Sequence, residues 1–108
     1  MKSYTDLEQS KKLAKILSIE NADMFWPNAP ITVPCIKNGN PMGVNIPCWS
    51  LAALLEVIPN MVTIWKDCTY SIEWESVHEC RLLNTKEHDS LIDACVELIE
   101  KLHKEGVI

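Results

Sequence analysis

The sequence predicts a small α+β fold in which an antiparallel sheet of three to five strands is covered on one face by the C-terminal helix and one or two further helices. Residues 69–75 alternate apolar and polar side chains with a period of two, which is typical of a strand with one buried face. Residues 91–102 repeat apolar side chains at helical spacing, which indicates an amphipathic helix. Five of the six prolines lie within residues 21–47, and this composition argues against a long helix or a central strand there.

Two helices are predicted in the first half of the chain. Residues 6–17 place apolar side chains near helical spacing, and the preceding Thr5 together with Glu8 fits a capping box. Residues 50–58 are rich in Leu and Ala, and Pro59 is expected to end that helix. Because this second helix is nearly apolar on all sides, we expect it to be buried over most of its surface.

A short edge hairpin is predicted between these helices. Its strands would be residues 31–37 and 42–46, on either side of Asn38-Gly39-Asn40. Asn-Gly tolerates the positive φ angles of a tight turn, so the tripeptide is a suitable hairpin loop.

Three more strands are predicted over residues 61–65, 69–75 and 77–83. A slip of one residue in the pairing would move every side chain to the other face, so the apolar pattern constrains the register. Three-residue loops at 66–68 and 75–77 gather the apolar side chains on one face. The expected pairs are Trp65–Thr69, Val62–Ile72 and Ile64–Tyr70 in the first hairpin, and Trp74–His78, Ile72–Cys80 and Tyr70–Leu82 in the second.

The last predicted element is a helix that begins at Asp89 or Ser90 and ends at Gly106. Asp and Ser are suitable N-caps, and glycine accepts the left-handed conformation that commonly follows a helix. Its apolar stripe is expected to pack on the sheet. The stripe consists of Leu91, Cys95, Leu98 and Leu102, widened by Ile92, Ala94 and Ile99.

The composition restricts domain number and partners. The size suits one domain over residues 1–108, and 47% hydrophobic residues are enough for a core. Ten basic and fifteen acidic residues give a net charge of -5, which disfavours nucleic acid as a partner. No leader or membrane-length apolar segment is recognisable, so the expected location is the cytoplasm and no membrane partner is expected. Lysines in the first segment (Lys2, Lys11, Lys12, Lys15) alternate with acidic residues, as on a solvated helix face.

The five cysteines have wide and irregular spacing. Together with the odd number and the absence of a secretory signal, this spacing favours reduced thiols over a disulfide framework. Most of them are expected to be small apolar core residues.

The residue pair most suited to chemistry is His78 and Cys80. In the expected register both side chains face the core, whereas Glu79 and Arg81 face solvent or a partner. A thiolate nucleophile needs a nearby base, and His-x-Cys would supply both groups. However, no oxyanion-hole motif accompanies the pair, so a core cysteine beside a histidine packed on Trp74 is the favoured interpretation.

A metal site was the second chemical hypothesis. His78 and Cys80 could combine with His88 and with Cys68 or Cys95, but the sequence has no paired Cys-x-x-Cys ligands. No phosphate-binding glycine loop, serine elbow or His-Glu-x-x-His motif is present either. We therefore predict no catalytic, cofactor-binding or metal-binding residues and no cofactor.

The aromatic residues suggest a role in binding. Trp74 fits the core, and Trp49 precedes the second helix as a hydrophobic staple would. Phe25 and Trp26 lie in the proline-rich segment, where aromatic side chains either anchor an interface or cover one end of the core, and the core position is favoured. Trp65 lies at a predicted strand end, which makes it a candidate for a surface position.

Three segments carry a resemblance to a known group. They are residues 46–55 (IPCWSLAALL), residues 93–103 (DACVELIEKLH) and residues 6–14 (DLEQSKKLA). Through them the chain resembles small proteins encoded in phages, prophages and other mobile elements of gut anaerobes. That group has no assigned activity, so the resemblance implies a genomic setting and transfers no functional residue.

The preferred hypothesis is a non-enzymatic accessory protein that acts through protein–protein interaction or self-association. A homodimer would bury an open edge strand by symmetric pairing. One alternative is a small cysteine- or metal-dependent enzyme centred on His78 and Cys80, which requires a reactive thiol. Another is a nucleic-acid-binding regulator, which requires a basic face.

Overall fold

The computed structural model describes residues 2–27, 34–36, 46–59 and 61–108. Within them the strands form two three-stranded antiparallel sheets, with orders β2-β1-β3 and β4-β5-β6. Helix α3 packs on the second sheet, which confirms the predicted α+β class. The elements are α1 (Leu7–Leu13), a 3₁₀ turn (Ile19–Asn21), β1 (Met24–Trp26), β2 (Cys35–Ile36), β3 (Ile46–Cys48), α2 (Leu51–Val57), β4 (Met61–Lys66), β5 (Tyr70–Ser76), β6 (Arg81–Asn84) and α3 (Leu91–Lys104). Among the described helices, none combines the length and the apolar composition that a membrane span requires.

Helix α3 has the caps that the sequence predicts. The Ser90 side chain accepts a hydrogen bond from the backbone N–H of Asp93. At the other end, Gly106 adopts φ 77° and donates its N–H to the carbonyl of His103 at 3.1 Å. Val107 donates to the carbonyl of Leu102 at 2.8 Å, which completes a Schellman motif.

The core lies between α3, β5 and α2. The apolar stripe of α3 packs against Ile72 and Trp74 of β5 and against Leu54 of α2. The indole of Trp74 is fully buried, and its Nε1 donates to the carbonyl of Pro59 at 2.6 Å. The fully buried large side chains include Leu13, Trp49, Leu54, Ile72, Trp74, Ile92, Leu98, Ile99 and Leu102.

The register between β4 and β5 differs from the prediction by two residues. Lys66 pairs with Tyr70 and Ile64 with Ile72, so the loop consists of residues 67–69 instead of 66–68. An even shift leaves every side chain on its predicted face. The assignment of faces in this hairpin was therefore correct although the pairs were wrong.

The observed register between β5 and β6 differs from the predicted one by an odd number of residues. The predicted faces of the β6 side chains were therefore wrong. Trp74 pairs with Leu83 and Ser76 with Arg81, so residues 77–80 form the turn. His78 and Cys80 are exposed in this turn and do not face the core. Arg81 and Leu83 face inward with Trp74, whereas Leu82 is 55% exposed.

Residues after β6 fix this register. Thr85 donates its N–H to the carbonyl of Ile72 and accepts from the N–H of Ile72 with Oγ1 at 2.8 Å. Further along, His88 and Tyr70 exchange both backbone hydrogen bonds. These bonds satisfy backbone groups of Thr85 and His88, and in the turn at residues 77–80 Cys80 adopts φ 52°.

The start of α1 also differs from the prediction. Asp6 is the N-cap and forms the capping box with Gln9, in place of Thr5 and Glu8. Thr5 is buried, and its Oγ1 accepts from the backbone N–H of Trp49 at 3.1 Å. The α-helix ends at Leu13 and not at residue 17, because Lys15 and Ile16 donate to carbonyls three residues earlier and continue the chain as turns.

The proline-rich segment contains a central strand, contrary to the prediction. β1 lies between β2 and β3, and it contains no proline. Pro47 lies in β3, an edge strand of this sheet, where its missing donor is tolerated. The described parts of the predicted hairpin, Cys35–Ile36 and Ile46, pair with β1 and not with each other, and its turn at residues 38–40 lies outside the described residues.

Helix α2 confirms the predicted boundaries. Ser50 is its N-cap, accepting from the N–H of Ala53, and Pro59 follows its C-cap Ile58. Ala52 and Glu56 are exposed, so the helix is less buried than its composition predicts. Trp49 and Leu54 are both buried at the staple positions before and within the helix.

Removal of the Thr5 hydroxyl should destabilise the fold. Thr5→Val keeps the volume but leaves the buried N–H of Trp49 without its acceptor, which costs about 1–3 kcal/mol. Thr69→Val is the matched control, since the Thr69 side chain makes no hydrogen bond among the described residues, and its cost should stay within about 0.5 kcal/mol. Urea unfolding measures both variants, and equal stabilities would contradict the role given to Thr5.

Candidate interaction surface

Strand β4 has an open edge. Within the described ranges β4 pairs with β5 alone, so its other edge has no strand partner there. Such an edge presents a row of backbone donors and acceptors that can pair with another chain.

The backbone groups that point outward can be assigned from the ladder. Tyr70 exchanges both hydrogen bonds with His88, so its N–H and C=O point toward the β6 side of β5. Because antiparallel pairs alternate between the two sides, Ser71 and Glu73 bond toward Trp65 and Thr63 of β4. The backbone groups of the remaining β4 residues therefore lie on the open edge; these are Val62, Ile64 and Lys66.

The side chains of β4 are also incompletely covered. Trp65 is 60% exposed on the outer face of the sheet, and Ile64 is 39% exposed on the face that carries α3. Helix α3 packs on β5 and β6 and leaves β4 at its side. Residues 61–65 contain no charge, and only Lys66 supplies one. Natural edge strands are usually protected by charges, proline or bulges, and residues 61–65 carry no charge or proline.

The exposure of Trp65 confirms the prediction for that residue. The exposure of Ile64 was not predicted, because the expected pairing with Tyr70 placed this side chain on the buried face. An available signal was the uncharged run at residues 61–65 next to a loop, which is unusual for a surface strand.

The other aromatic side chains of interest lie at the first sheet. Phe25 and Trp26 are half-buried in β1. The Trp26 indole donates to Ser10 Oγ at 3.0 Å and meets the Tyr4 ring edge-on at a centroid distance of 6.1 Å. Trp26 therefore packs against the α1 end of the domain.

The residues considered for catalysis and metal binding are dispersed. His78 and Cys80 lie in the β5–β6 turn, where Cys80 Sγ is 3.8 Å from the Val77 carbonyl. His88 is bound to Glu97, Cys95 is buried in the core, and Cys68 is exposed in the β4–β5 loop. Over the part of the chain that is described, no three His, Cys, Asp or Glu side chains converge to hold a metal ion.

The cysteines fall into two groups, and the expectation that most lie in the core was wrong. Cys48 and Cys95 are buried, whereas Cys35, Cys68 and Cys80 are exposed. Burial raises the pKa of the Cys95 thiol to about 12. Burial also raises the pKa of Cys48, although hydrogen bonds with Thr5 and Ser10 act in the opposite direction.

A charged groove lies between α1 and α3, and its main ions are paired. Lys2 Nζ is 2.9 Å from Asp6 and 2.7 Å from Asp93. Gln9 Nε2 donates to Asp93 at 2.6 Å, which adds a link between the two helices. Because cations and carboxylates neutralise one another here, the groove has no strong preference for a ligand of either sign.

Glu97 lies in the same groove and is held by several donors. His88 Nε2 lies 2.6 Å from Glu97 Oε1, Lys101 Nζ lies 3.0 Å from Oε2, and the Lys86 N–H donates to both oxygens. Burial alone would raise the pKa of Glu97, but the bonds with His88, Lys101 and Lys86 outweigh it and lower the pKa.

A second cleft, which we call the acidic cleft, has a volume of about 660 Å³. It lies between the segment after α1 and helix α2. Its apolar lining includes Leu17, Ala53 and Val57, and its charged lining residues are Glu20, Asp23 and Glu56, with no lysine or arginine. This cleft was not predicted from the sequence, although Glu56 is the only charged residue in the otherwise apolar α2.

No family model, no curated protein and no solved structure matches this chain.

The thiols should react in two classes. In the folded protein at mildly alkaline pH, Ellman's reagent should modify Cys35, Cys68 and Cys80 rapidly, because these thiols are exposed. Cys48 and Cys95 should react only as the protein opens or after denaturant is added, since burial suppresses their thiolates. Mass spectrometry of the digested protein identifies the modified residues, and rapid labelling of Cys95 would contradict the core packing.

Stability should fall on acidification, partly through Glu97. A lowered pKa in the folded state contributes stability above the ordinary value of 4.5, and this contribution disappears as the pH falls through the folded-state pKa. Glu97→Gln should therefore be less stable at neutral pH and should lose less stability on acidification. The slope should not vanish, because the pKa values of Asp6 and Asp93 are lowered as well.

Urea midpoints measured between neutral pH and pH below 4.5 test this prediction. Glu100→Gln is the control, because Glu100 is exposed one turn away and forms no ion pair among the described residues. Identical pH profiles for the two variants would show that the bonds to Glu97 do not stabilise the fold.

Proposed function

We propose that this chain is a non-enzymatic accessory protein that acts through protein–protein interaction, with the open edge of β4 as its contact surface and a second copy of the chain as its partner. The observation that carries the proposal is the unprotected edge of β4, where outward backbone groups adjoin the exposed Trp65. The resemblance to proteins of phages and other mobile elements supplies the setting, and the proposed location is the cytoplasm.

The edge is suited to symmetric pairing. The outward groups belong to Val62, Ile64 and Lys66, so the set is centred on Ile64. A two-fold axis beside Ile64 would set it opposite Ile64 of the partner subunit, and Val62 opposite Lys66 of the partner subunit. This antiparallel pairing would join the two sheets into one of six strands.

The side chains support the same arrangement. Ile64 would meet its symmetry mate on the α3 side of the sheet, where it is now 39% exposed. On the outer face Trp65 would lie beside Thr63 of the partner subunit, and aromatic to β-branched pairs contribute roughly 0.2–1 kcal/mol. The two Lys66 side chains would lie at opposite ends of the interface, so they would not repel each other at close range.

The charge distribution also favours this edge. The chain carries a net charge of -5, which opposes self-association in general. β4 contains no carboxylate; Asp67 follows it in the loop at one end of the strand, and Glu73 and Glu75 lie one strand away on β5. Contact through β4 therefore keeps the acidic groups of the two copies apart.

Proline at position 64 tests the edge directly. Ile64→Pro removes an outward N–H without breaking the ladder to β5, because the N–H of Ile64 does not bond to β5. The two subunits would lose two hydrogen bonds of about 1 kcal/mol each, so the dimer dissociation constant should rise about 30-fold or more. Sedimentation velocity over a concentration series measures the constant.

Ile64→Thr is the matched control, since it shortens the apolar side chain but keeps the N–H. It should weaken the dimer much less than Ile64→Pro does. Leu82→Thr is a second control at a similarly exposed position on β6, and it should have no effect. A wild-type protein that stays monomeric at about 1 mM would contradict self-association.

A further inference from the structure

We infer that the acidic cleft between the 3₁₀ turn and α2 binds a cationic, partly apolar segment of a protein partner. This surface shares no lining residue with β4, so the inference goes beyond the proposed self-association. It rests on the volume of the cleft, its apolar floor and its uncompensated negative charge.

Hydrogen bonds connect the two sides of the cleft without a ligand. The Asp23 carboxylate accepts a hydrogen bond from the backbone N–H of Ser50 at 2.9 Å and another from Ser50 Oγ. Ser50 is also the N-cap of α2, so these bonds join the segment after the 3₁₀ turn to the start of the second wall. A preformed cleft avoids part of the ordering cost of binding.

Two carboxylates of the cleft are available to a ligand. Within the described part of the chain, the Glu20 and Glu56 carboxylates have no hydrogen bond or ion pair, whereas Asp23 is engaged by Ser50. The groove between α1 and α3 provides a contrast, because Lys2 pairs with Asp6 and Asp93 there and Lys101 pairs with Glu97. The acidic cleft therefore has a net negative potential that nothing in its lining offsets.

The apolar lining of the acidic cleft determines which kind of cation fits. Leu17, Val57 and Ala53 supply apolar surface to the same cleft as the carboxylates. The stem of a lysine or arginine side chain can pack on such a surface while its charged end reaches a carboxylate. A volume of about 660 Å³ accommodates several side chains, which favours a peptide segment over a single small ion. The negative potential also disfavours nucleic acid as the occupant.

The probe for this site is a short peptide of repeating Leu-Lys-Lys-Leu, compared with the same peptide in which every lysine is glutamine. Titration into ¹⁵N-labelled protein should shift the backbone amides of residues 16–23 and 52–57 and leave residues 61–66 unchanged. The glutamine peptide should bind at least about tenfold more weakly, because it lacks the charges that meet Glu20 and Glu56.

Two matched double variants separate the cleft from the general acidity of the protein. Glu20→Gln with Glu56→Gln should raise the dissociation constant of the lysine peptide about tenfold. Glu75→Gln with Glu87→Gln removes the same charge from exposed positions outside the cleft and should change it less than twofold. Ala52→Trp, at an exposed lining residue of α2, should block binding by occupying the cleft.

Three outcomes would overturn the inference. Equal weakening by the two double variants would show that only net charge matters. Amide shifts at residues 61–66 would place the peptide at the β4 edge. Spermidine that bound as tightly as the peptide and shifted the same amides would assign the cleft to a small organic amine. The oligomeric state of each variant, measured in parallel, reports on β4 separately.

Discussion

The packing of α3 against β5 is the contact on which the rest of the structure depends. Ile72 and Trp74 meet the apolar stripe of α3, and both side chains are almost fully buried. Trp74 also donates to the carbonyl of Pro59, which connects the end of α2 to the same contact. Loss of a large buried side chain costs about 3–5 kcal/mol, a large part of the 5–15 kcal/mol that stabilises a typical domain.

The width of α3 explains why the face of β4 on the α3 side of the sheet is incompletely covered. A helix with its side chains is about 10 Å across, whereas neighbouring strands lie about 4.8 Å apart. One helix therefore covers about two strands, and α3 packs on β5 and β6. β4 remains at the side of the helix, with Ile64 partly exposed on the covered face of the sheet. The partial exposure of Ile64 thus follows from a three-stranded sheet with one helix packed over β5 and β6.

The predictions from sequence succeeded where the determining contacts are local. The caps of α3 at Ser90 and Gly106 and the end of α2 at Pro59 depend on neighbouring residues, and all were confirmed. The β4–β5 faces were also correct, because a shift of two residues preserves them. The position of Trp65 at a strand end suggested a surface location, and its side chain is 60% exposed.

The failures concern contacts between residues far apart in the chain. Thr5 has the local sequence of a cap, but its hydroxyl accepts from Trp49, 44 residues later. The β5–β6 register depends on Thr85 and His88, beyond the end of the predicted strand, so His78 and Cys80 were placed on the wrong face. The acidic cleft combines the segment after α1 with α2, and no local pattern reveals that juxtaposition.

The two proposed surfaces respond to charge in opposite ways. Each copy carries a net charge of -5, and pairing at β4 brings two such copies together through a contact that contains no carboxylate. Added salt screens the repulsion between the copies, so it favours that contact. Binding at the acidic cleft relies on attraction to Glu20 and Glu56, which the same salt weakens. Salt concentration therefore distinguishes the two surfaces. Added salt should strengthen self-association at β4 and weaken the binding of a basic partner in the acidic cleft.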